Sequence, residues 1–376
     1  MHPMIDYALN LLNRLIDFLL RKRSIAGAFL KVGAVVTVPA LGSGWALGVI
    51  YHDPGRALDF KLQTTDGVPG WAVLIALFIG LGLILTGIVI GVWDWWRARR
   101  AEERRKAIIV EIRGLHSSPD NPASTADLSL PSGVRDSQIV DFRPAREGML
   151  VDPDLALEKL VAMKRAVESA SGGRAKEDVT VALGGLAAVP VLFLVGMLFD
   201  DESNVVVFDW DRSRKMWRLT DGADDGKRML PMTPPAVAAG TAEAVLAVSA
   251  SYPVDEQAIS RVFAGRVPVL HLRAEEMLAD RFWSVAKQQA FVVAFRDAVQ
   301  SLMGQGVQRI RLVLAAPASL SIRMGMAYDR RLMPDLVVYQ YERSAPIPYP
   351  WGLRMPTHGR LAATVEWSAK LAHPQA

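Results

Sequence analysis

Two long apolar stretches near the amino terminus constrain this chain more than any other feature. The first covers residues 25–50 with one charge, Lys31; the second covers 71–92 with none. About 20 apolar residues cross the hydrocarbon core of a bilayer as a helix, and the second stretch has no polar face to turn toward water. Lys31 lies close enough to the start of its segment for its ammonium to reach the headgroups. Trp71 stands at one end of the second stretch and Trp93, Trp95 and Trp96 at the other, the level at which indoles find apolar and polar surroundings together. Arg97, Arg99, Arg100, Arg104, Arg105 and Lys106 follow directly, and Arg14, Arg21, Lys22 and Arg23 precede the first stretch. The loop at 51–70 sets only Arg56 and Lys61 against Asp53, Asp59 and Asp66. Basic flanks stay on the cytoplasmic side, so both chain ends are expected inside a bacterial inner membrane and the loop outside.

These stretches account for a hydrophobic fraction of 51% and a mean hydropathy of +0.19. The absence of cysteine excludes disulfides, thiolate metal sites and a cysteine nucleophile. Residues 1–20 hold Asp6, Arg14 and Asp17 and do not read as a cleavable signal peptide. Asp6, Asn10, Asn13, Asp17 and Arg21 form a polar stripe opposite Ile5, Leu9, Leu12, Leu15, Ile16 and Leu19. That pattern predicts an amphipathic helix lying on the inner leaflet, or against a partner helix. Gly44 with Gly48, and Gly87 with Gly91, are spaced to let helix backbones approach in lipid, within one hairpin or between chains.

A third uncharged run, 181–199, is not expected to span. Gly184 and Gly185 interrupt it, Pro190 follows, and its flanks are acidic or mixed without an aromatic girdle. It also belongs to a repeat. Val179-Thr-Val-Ala-Leu183 resembles Ile310-Arg-Leu-Val-Leu314, and Val205-Val-Val-Phe208 resembles Leu336-Val-Val-Tyr339, both at an offset of 131 residues. A small-residue turn and a helix with a late glycine, Gly196 or Gly325, lie between the strands in each copy, although the glycines do not align at that offset. Helical patterns at 153–170 and 284–303 and strand patterns at 107–115 and 244–249 come before them. Each half thus reads strand, helix, strand, helix, strand, which predicts a mostly parallel sheet covered by helices. Two such halves would enclose a cleft near a pseudo-two-fold axis.

The run from Ile310 to Glu342, IRLVLAAPASLSIRMGMAYDRRLMPDLVVYQYE, resembles the C-terminal signature of SAVED domains. The runs VTVALGGLAAVPVLFLVGMLF and VVVFDWDRSRKMWRL, between Val179 and Leu219, are similar to the matching element of their N-terminal half. The resemblance covers 107 to the C-terminus. It implies two fused CARF-like, Rossmann-like units that bind a cyclic di- or trinucleotide, more readily the trinucleotide. In CBASS antiphage systems a separate synthase makes that signal on infection. Some members of the family carry transmembrane segments in place of an enzyme. The implied layout is an amphipathic helix at 1–23, an all-α two-helix transmembrane hairpin at 24–96, a basic juxtamembrane linker at 97–106 and an α/β sensor at 107–376. The implied action is ligand-induced homo-oligomerisation, membrane disruption and abortive infection.

Phosphates want helix N-termini and forked arginines, purines want aromatic or guanidinium planes, and ligands of open α/β sheets sit beyond the carboxyl ends of the strands. These rules select Gly184, Gly185 and Leu186 in one half and Pro317, Ala318 and Ser319 in the other, the turns that the family's ligand loops match. They also select His116, Ser117 and Tyr252 after the first strand of each half, Trp217 as a base platform, and Arg143, Arg218, Arg273 and Arg323 as phosphate partners. Each has a plain structural alternative: tight strand–helix packing for the glycines, a loop histidine, core tryptophans at 217 and 283, solvated arginines. The Pro-rich segment 346–356 with Tyr349 and Trp351 reads as irregular. No cofactor, metal site, DNA or RNA partner is expected. No H-E-x-x-H, P-loop or G-x-S-x-G motif is present, so no enzyme is expected. A membrane enzyme that degrades the signal and a tether for a separate enzyme are the competing readings.

Overall fold

The computed structural model describes residues 25–41, 45–51, 58–64, 70–202, 204–231, 241–263, 267–343 and 345–368. The expected amphipathic helix at 1–23, and Gly44, lie outside them. The chain divides into two compact units, Met1–Glu103 and Arg104–Ala376.

The first unit differs from an all-α hairpin. The first apolar stretch is helical only over Ile25–Leu41 (α1), 17 residues or about 26 Å of helix. Gly42-Ser43-Gly44 follows, a poor helix sequence. The β-branched and aromatic run beyond it forms β1 (Trp45–Tyr51), paired antiparallel with β2 (Leu58–Thr64). Gly48 therefore sits in a strand and not in a helix–helix contact. The second stretch lies in a 35-residue helix, Gly70–Arg104 (α2). The part of it from Trp71 is long and apolar enough to cross a membrane. Helix α2 continues unbroken through the segment read as a basic linker, leaving Arg105 alone before the next strand.

Helices α1 and α2 meet through small residues. A Cβ on Gly80 would lie 2.2 Å from the Thr37 Oγ1, and one on Gly33 would lie 2.9 Å from the Gly80 carbonyl oxygen. Gly87 faces the Ala26 carbonyl in the same way, at 3.0 Å. Gly80→Leu is expected to force the helices apart. Spin labels on cysteines introduced at Ile25 and Val89, both exposed, would report a longer distance; the cysteine-free sequence makes the labelling specific.

The second unit holds the repeat. Its first sheet contains β3 (Lys106–Arg113), β4 (Val134–Asp141), β5 (Val179–Leu186), β6 (Val205–Asp211) and β7 (Met216–Leu219), in the order β4-β3-β5-β6-β7 with only β7 antiparallel. Helices α3 (Pro153–Ser171) and α4 (Val189–Leu198) connect its strands. The second sheet contains β8 (Glu243–Ser249), β9 (Val269–Arg273), β10 (Arg309–Ala315), β11 (Asp335–Tyr339), β12 (Trp351–Arg354) and β13 (Thr364–Trp367), in the order β13-β12-β11-β10-β8-β9. Its helices are α5 (Glu256–Phe263), α6 (Val285–Gly304) and α7 (Ala318–Met326). The central strands are buried on both faces: Ile108, Val110 and Ile112 point into the shared core, while Ala107 and Ile109 meet Phe208 and Trp217 behind the sheet. That is why they read as continuous apolar runs.

The two halves match, with one shift of register from the sequence reading. Val181 pairs with Val205, and Ile310 pairs with Leu336. Strands β6 and β11 thus correspond at the offset of 131, but β5 and β10 correspond at 129, Val181 to Ile310. The connection from α7 to β11 is two residues longer than that from α4 to β6. At 129 the late glycines align. A Cβ on Gly196 would lie 2.0 Å from the Ile322 carbonyl oxygen, and one on Gly325 would lie 2.0 Å from that of Phe193. Helices α4 and α7 therefore cross backbone to backbone at the pseudo-two-fold axis. Each also packs on the other half's sheet, α4 on β11 and β12, α7 on β5 and β6. The uncharged run 181–199 is accordingly β5 and a ten-residue buried helix inside the head.

Candidate functional site

A cleft of about 410 Å³ opens where the carboxyl ends of the two parallel sheets converge, the position that open α/β folds use for ligands. Its floor is made by paired turns. In the first half Gly114 N and Leu115 N donate to the Leu186 carbonyl at 2.8 and 3.1 Å; in the second, Ala250 N and Ser251 N donate to Ala315 at 2.9 and 3.0 Å. Leu186, Ala187, Pro317, Ala318 and Ser319 then line the cleft at the entries to α4 and α7.

The two halves exchange helix caps across this floor. The Asp209 carboxylate, at the end of β6, accepts from Ser319 N in the first turn of α7 at 2.9 Å. Gln340, at the end of β11, accepts through Oε1 from Val189 N, the first residue of α4, at 3.0 Å. Asp209 and Gln340 are repeat equivalents, and both line the cleft. Asp209 is buried, and its pKa is raised: loss of hydration pushes it up, against the lowering pull of the Ser319 and Trp210 N–H groups and Arg212.

The walls are aromatic and uneven. Trp210, Tyr252, Phe282, Trp283, Tyr339, Tyr341 and Tyr349 line it, with Asp255 and Asp280 at the side and Arg212 at the rim. Arg212 is exposed and has no ion-pair partner among the described residues. Asp255 is engaged, accepting from Ala258 N at the start of α5. Tyr349 belongs to the segment read as irregular, which carries β12 and closes one wall.

Of the residues selected from the sequence, Leu186, Tyr252, Pro317, Ala318 and Ser319 come together at the cleft. Gly184 and Gly185 lie within β5, which runs to Leu186. Gly185 has φ +150°, and a Cβ there would strike the Ile112 backbone oxygen at 2.1 Å, so its place is close strand packing. His116 and Ser117 are exposed beside the rim residue Leu115, with His116 Nδ1 3.3 Å from the Pro144 carbonyl oxygen. Arg143 is held by Asp141 at 2.8 Å and Asp120 at 3.2 Å. Trp217 is buried against Phe208 and Trp210, its indole N–H donating to Asn121 O at 2.8 Å. Arg218 lies over the Trp283 ring at 5.0 Å, supporting that wall from behind a lining residue. Arg273 pairs with Glu256. Arg323 donates to Gln288 at 2.7 Å and to Thr220 at 3.0 Å, and burial lowers its pKa. Asp209, Arg212 and Gln340 were missed. The repeat carried the signal, since Asp209 and Gln340 each follow directly on the aligned strands.

Residues 163–355 match the family model of the SAVED domain, described as the SMODS-associated and fused to various effectors sensor domain. Residues 6–157 match the SAVED-fused 2TM effector domain. No curated protein matches the chain. Among solved structures, the chain is similar to an Acinetobacter baumannii Cap4 SAVED/CARF-domain containing receptor with the cyclic trinucleotide 2'3'3'-cAAA, at 12% identity and a TM-score of 0.43, covering 74% of this chain and 58% of that one. The same receptor with 3'3'3'-cAAA gives 14% identity and a TM-score of 0.41 over 74% and 58%. A Moraxella osloensis Cap4 receptor gives 13% and 0.41 over 73% and 55%. The chain thus spans less than three-fifths of those receptors. With the sensor model covering residues 163–355 and the effector model most of what precedes it, this chain belongs to the SAVED family as a sensor domain fused to a two-transmembrane effector domain.

Proposed function

We propose that the cleft binds a cyclic oligonucleotide, a trinucleotide in preference to a dinucleotide, and that binding assembles the chain into homo-oligomers whose membrane helices breach the bacterial inner membrane. In this reading the chain is the membrane-anchored effector of a CBASS system, functionally linked to a cyclic-nucleotide synthase. It passes the membrane twice with both ends in the cytoplasm and acts without catalysis, so that an infected cell stops before phage matures. Residues 24–96 would be the spanning effector and 107–376 the sensor.

One observation supports this above the rest: a shared cleft at the carboxyl ends of two repeat-related sheets, walled by seven aromatic side chains, with an arginine at its rim that has no ion-pair partner among the described residues. Bases stack on indole and phenol faces, about 1–3 kcal/mol each. The Arg212 guanidinium offers paired donors to a phosphodiester. The small residues at 315–319 and 187–188 let a sugar–phosphate ring approach the backbone.

The test is calorimetric titration of the full chain in detergent with a panel of cyclic di- and trinucleotides. At least one is expected to bind. Arg212→Ala is expected to weaken it about tenfold or more, the worth of one charge-assisted hydrogen bond, and Trp283→Ala by a comparable factor. A panel without a binder removes the reading. Recovery of linear product replaces sensing with hydrolysis.

A further inference from the structure

The stretch of α2 that follows its apolar part carries more than a count of positive charges. Residues 70–93 hold no charge, about 36 Å of helix, which is enough to reach through a hydrocarbon core of about 30 Å. Trp96, Arg97, Arg100 and Arg104 then stand 3, 4, 7 and 11 residues after Trp93, which places all five on one side of the helix. Arg97 lies over the Trp93 ring with its guanidinium carbon 5.2 Å from the centroid, and Arg100 lies over Trp96 at 3.4 Å. On the neighbouring side Arg99 lies over Trp95 at 5.4 Å and is also paired with Glu103 at 3.3 Å. Arg97, Arg100 and Arg104 are exposed and form no ion pair with a described carboxylate.

A guanidinium resting on an indole uses its flat face. Its N–H donors lie in the plane and remain open to an oxyanion, two at a time. The indoles fix the depth, because an indole settles where hydrocarbon gives way to headgroups. The stacked arginines are thereby held at the height of lipid phosphates. A soluble anion would need only the arginines; the alternation of indole and guanidinium at the end of an uncharged helix fits a lipid.

We propose that this face of α2 is a headgroup site for anionic phospholipids of the phosphatidylglycerol class, which makes the state of the effector helix depend on the anionic lipid content of its leaflet. The proposal rests on the membrane-spanning character of α2 and is independent of the nucleotide ligand.

The test uses the full chain in phosphatidylcholine vesicles, with tryptophan fluorescence quenched by brominated phosphatidylglycerol or brominated phosphatidylcholine. Brominated phosphatidylglycerol is expected to reach half-quenching at an about fivefold lower mole fraction, the worth of one arginine near an anionic surface. Arg97→Gln, Arg100→Gln and Arg104→Gln together are expected to bring the two curves into coincidence. The same three positions changed to Lys, which keep the charge and lose the planar fork, are expected to fall between. Equal quenching of the unaltered protein by both lipids, or an undiminished preference in the triple Gln variant, overturns the proposal. Loss of the preference on adding inorganic phosphate at constant ionic strength also overturns it, by assigning the arginines to a soluble oxyanion.

Discussion

Gly196→Leu is expected to leave the sensor head unable to fold, and Gly325→Leu to do the same. At either position even a methyl group would sit 2.0 Å from a carbonyl oxygen of the facing helix, more than an ångström inside contact distance, and backbone cannot turn aside as the end of a flexible side chain can. Relief requires α4 and α7 to separate, which opens the core around Phe193, Phe295 and Tyr328. Overpacking of this kind costs about 1–3 kcal/mol for a single added group and more where the backbone must move. Gly196→Ala is therefore expected to lose about 3 kcal/mol, lowering the midpoint of thermal unfolding by about 6–12 °C for a domain of this size. The Leu variants approach the whole stability of a domain, about 5–15 kcal/mol. Calorimetric or circular-dichroism melts of the full chain in detergent read the effect. Gly304→Ala, where a Cβ meets nothing within 4 Å, is the control and should leave the midpoint unchanged or slightly raised.

The same crossing shows what the sequence discloses and what it withholds. Apolar runs identify buried parallel strands well: 179–183, 205–208, 244–249, 310–314 and 336–339 fall on strands, and 107–115 overruns the end of β3 at Arg113 by two residues. Strand β4 escaped because its sequence, VRDSQIVD, is that of a half-exposed edge. Strand β12 escaped because prolines at 346, 348 and 350 precede it. A repeat read from short β motifs is blind to a shift of two, because side chains alternate with period two and the apolar face looks the same. Only the pairing of Val181 with Val205 and of Ile310 with Leu336 separates the offsets of 129 and 131. Among candidate site residues, turn positions were legible because strand ends point to them. The arginines were not, since which guanidinium is already bound to a carboxylate depends on contacts such as Arg143 with Asp120, distant in sequence. The first apolar stretch misled for another reason: hydropathy does not distinguish a helix from the β-branched strand that follows Gly44. The domain boundary is also less simple than the hydropathy. The effector family model runs to residue 157 and so takes in β3 and β4, two strands of the first sensor sheet.

Asp209→Ala and Gln340→Ala are expected to loosen the two halves from opposite sides, by about 1–3 kcal/mol for Asp209, whose Ser319 partner is buried, and by less for Gln340, whose Val189 partner is half-buried at the cleft. Asp209→Ala orphans Ser319 N and Trp210 N, and Gln340→Ala orphans Val189 N. Both caps hold the same crossed helix pair, so the double variant should depart from the sum of the single losses. Asp209→Asn behaves differently. It keeps one acceptor, for Ser319 N at the start of α7, sets an NH2 group opposite Trp210 N and removes a buried charge. Because burial raises the Asp209 pKa in the folded head, the protonated form is the one that favours folding. Its contribution is fully present below the unfolded-state value, about 3.9, and is lost as pH rises through the folded-state value. The unaltered protein should therefore gain stability from this group as pH falls toward the unfolded-state value, a component that Asp209→Asn removes. The sign is opposite to that of Asp335, whose contacts with Arg354, Thr357 and Arg309 outweigh burial and hold it down to about 2, so its contribution is lost as pH falls below the unfolded-state value, whereas that of Asp209 is lost as pH rises above it. Melts above and below the unfolded-state value separate the two. If an anionic ring occupies the cleft, an ionised Asp209 opposes it, so ligand affinity should rise as pH falls in the unaltered protein and lose that part of its pH dependence in Asp209→Asn. Parallel pH profiles in the two proteins would confine Asp209 to capping a helix.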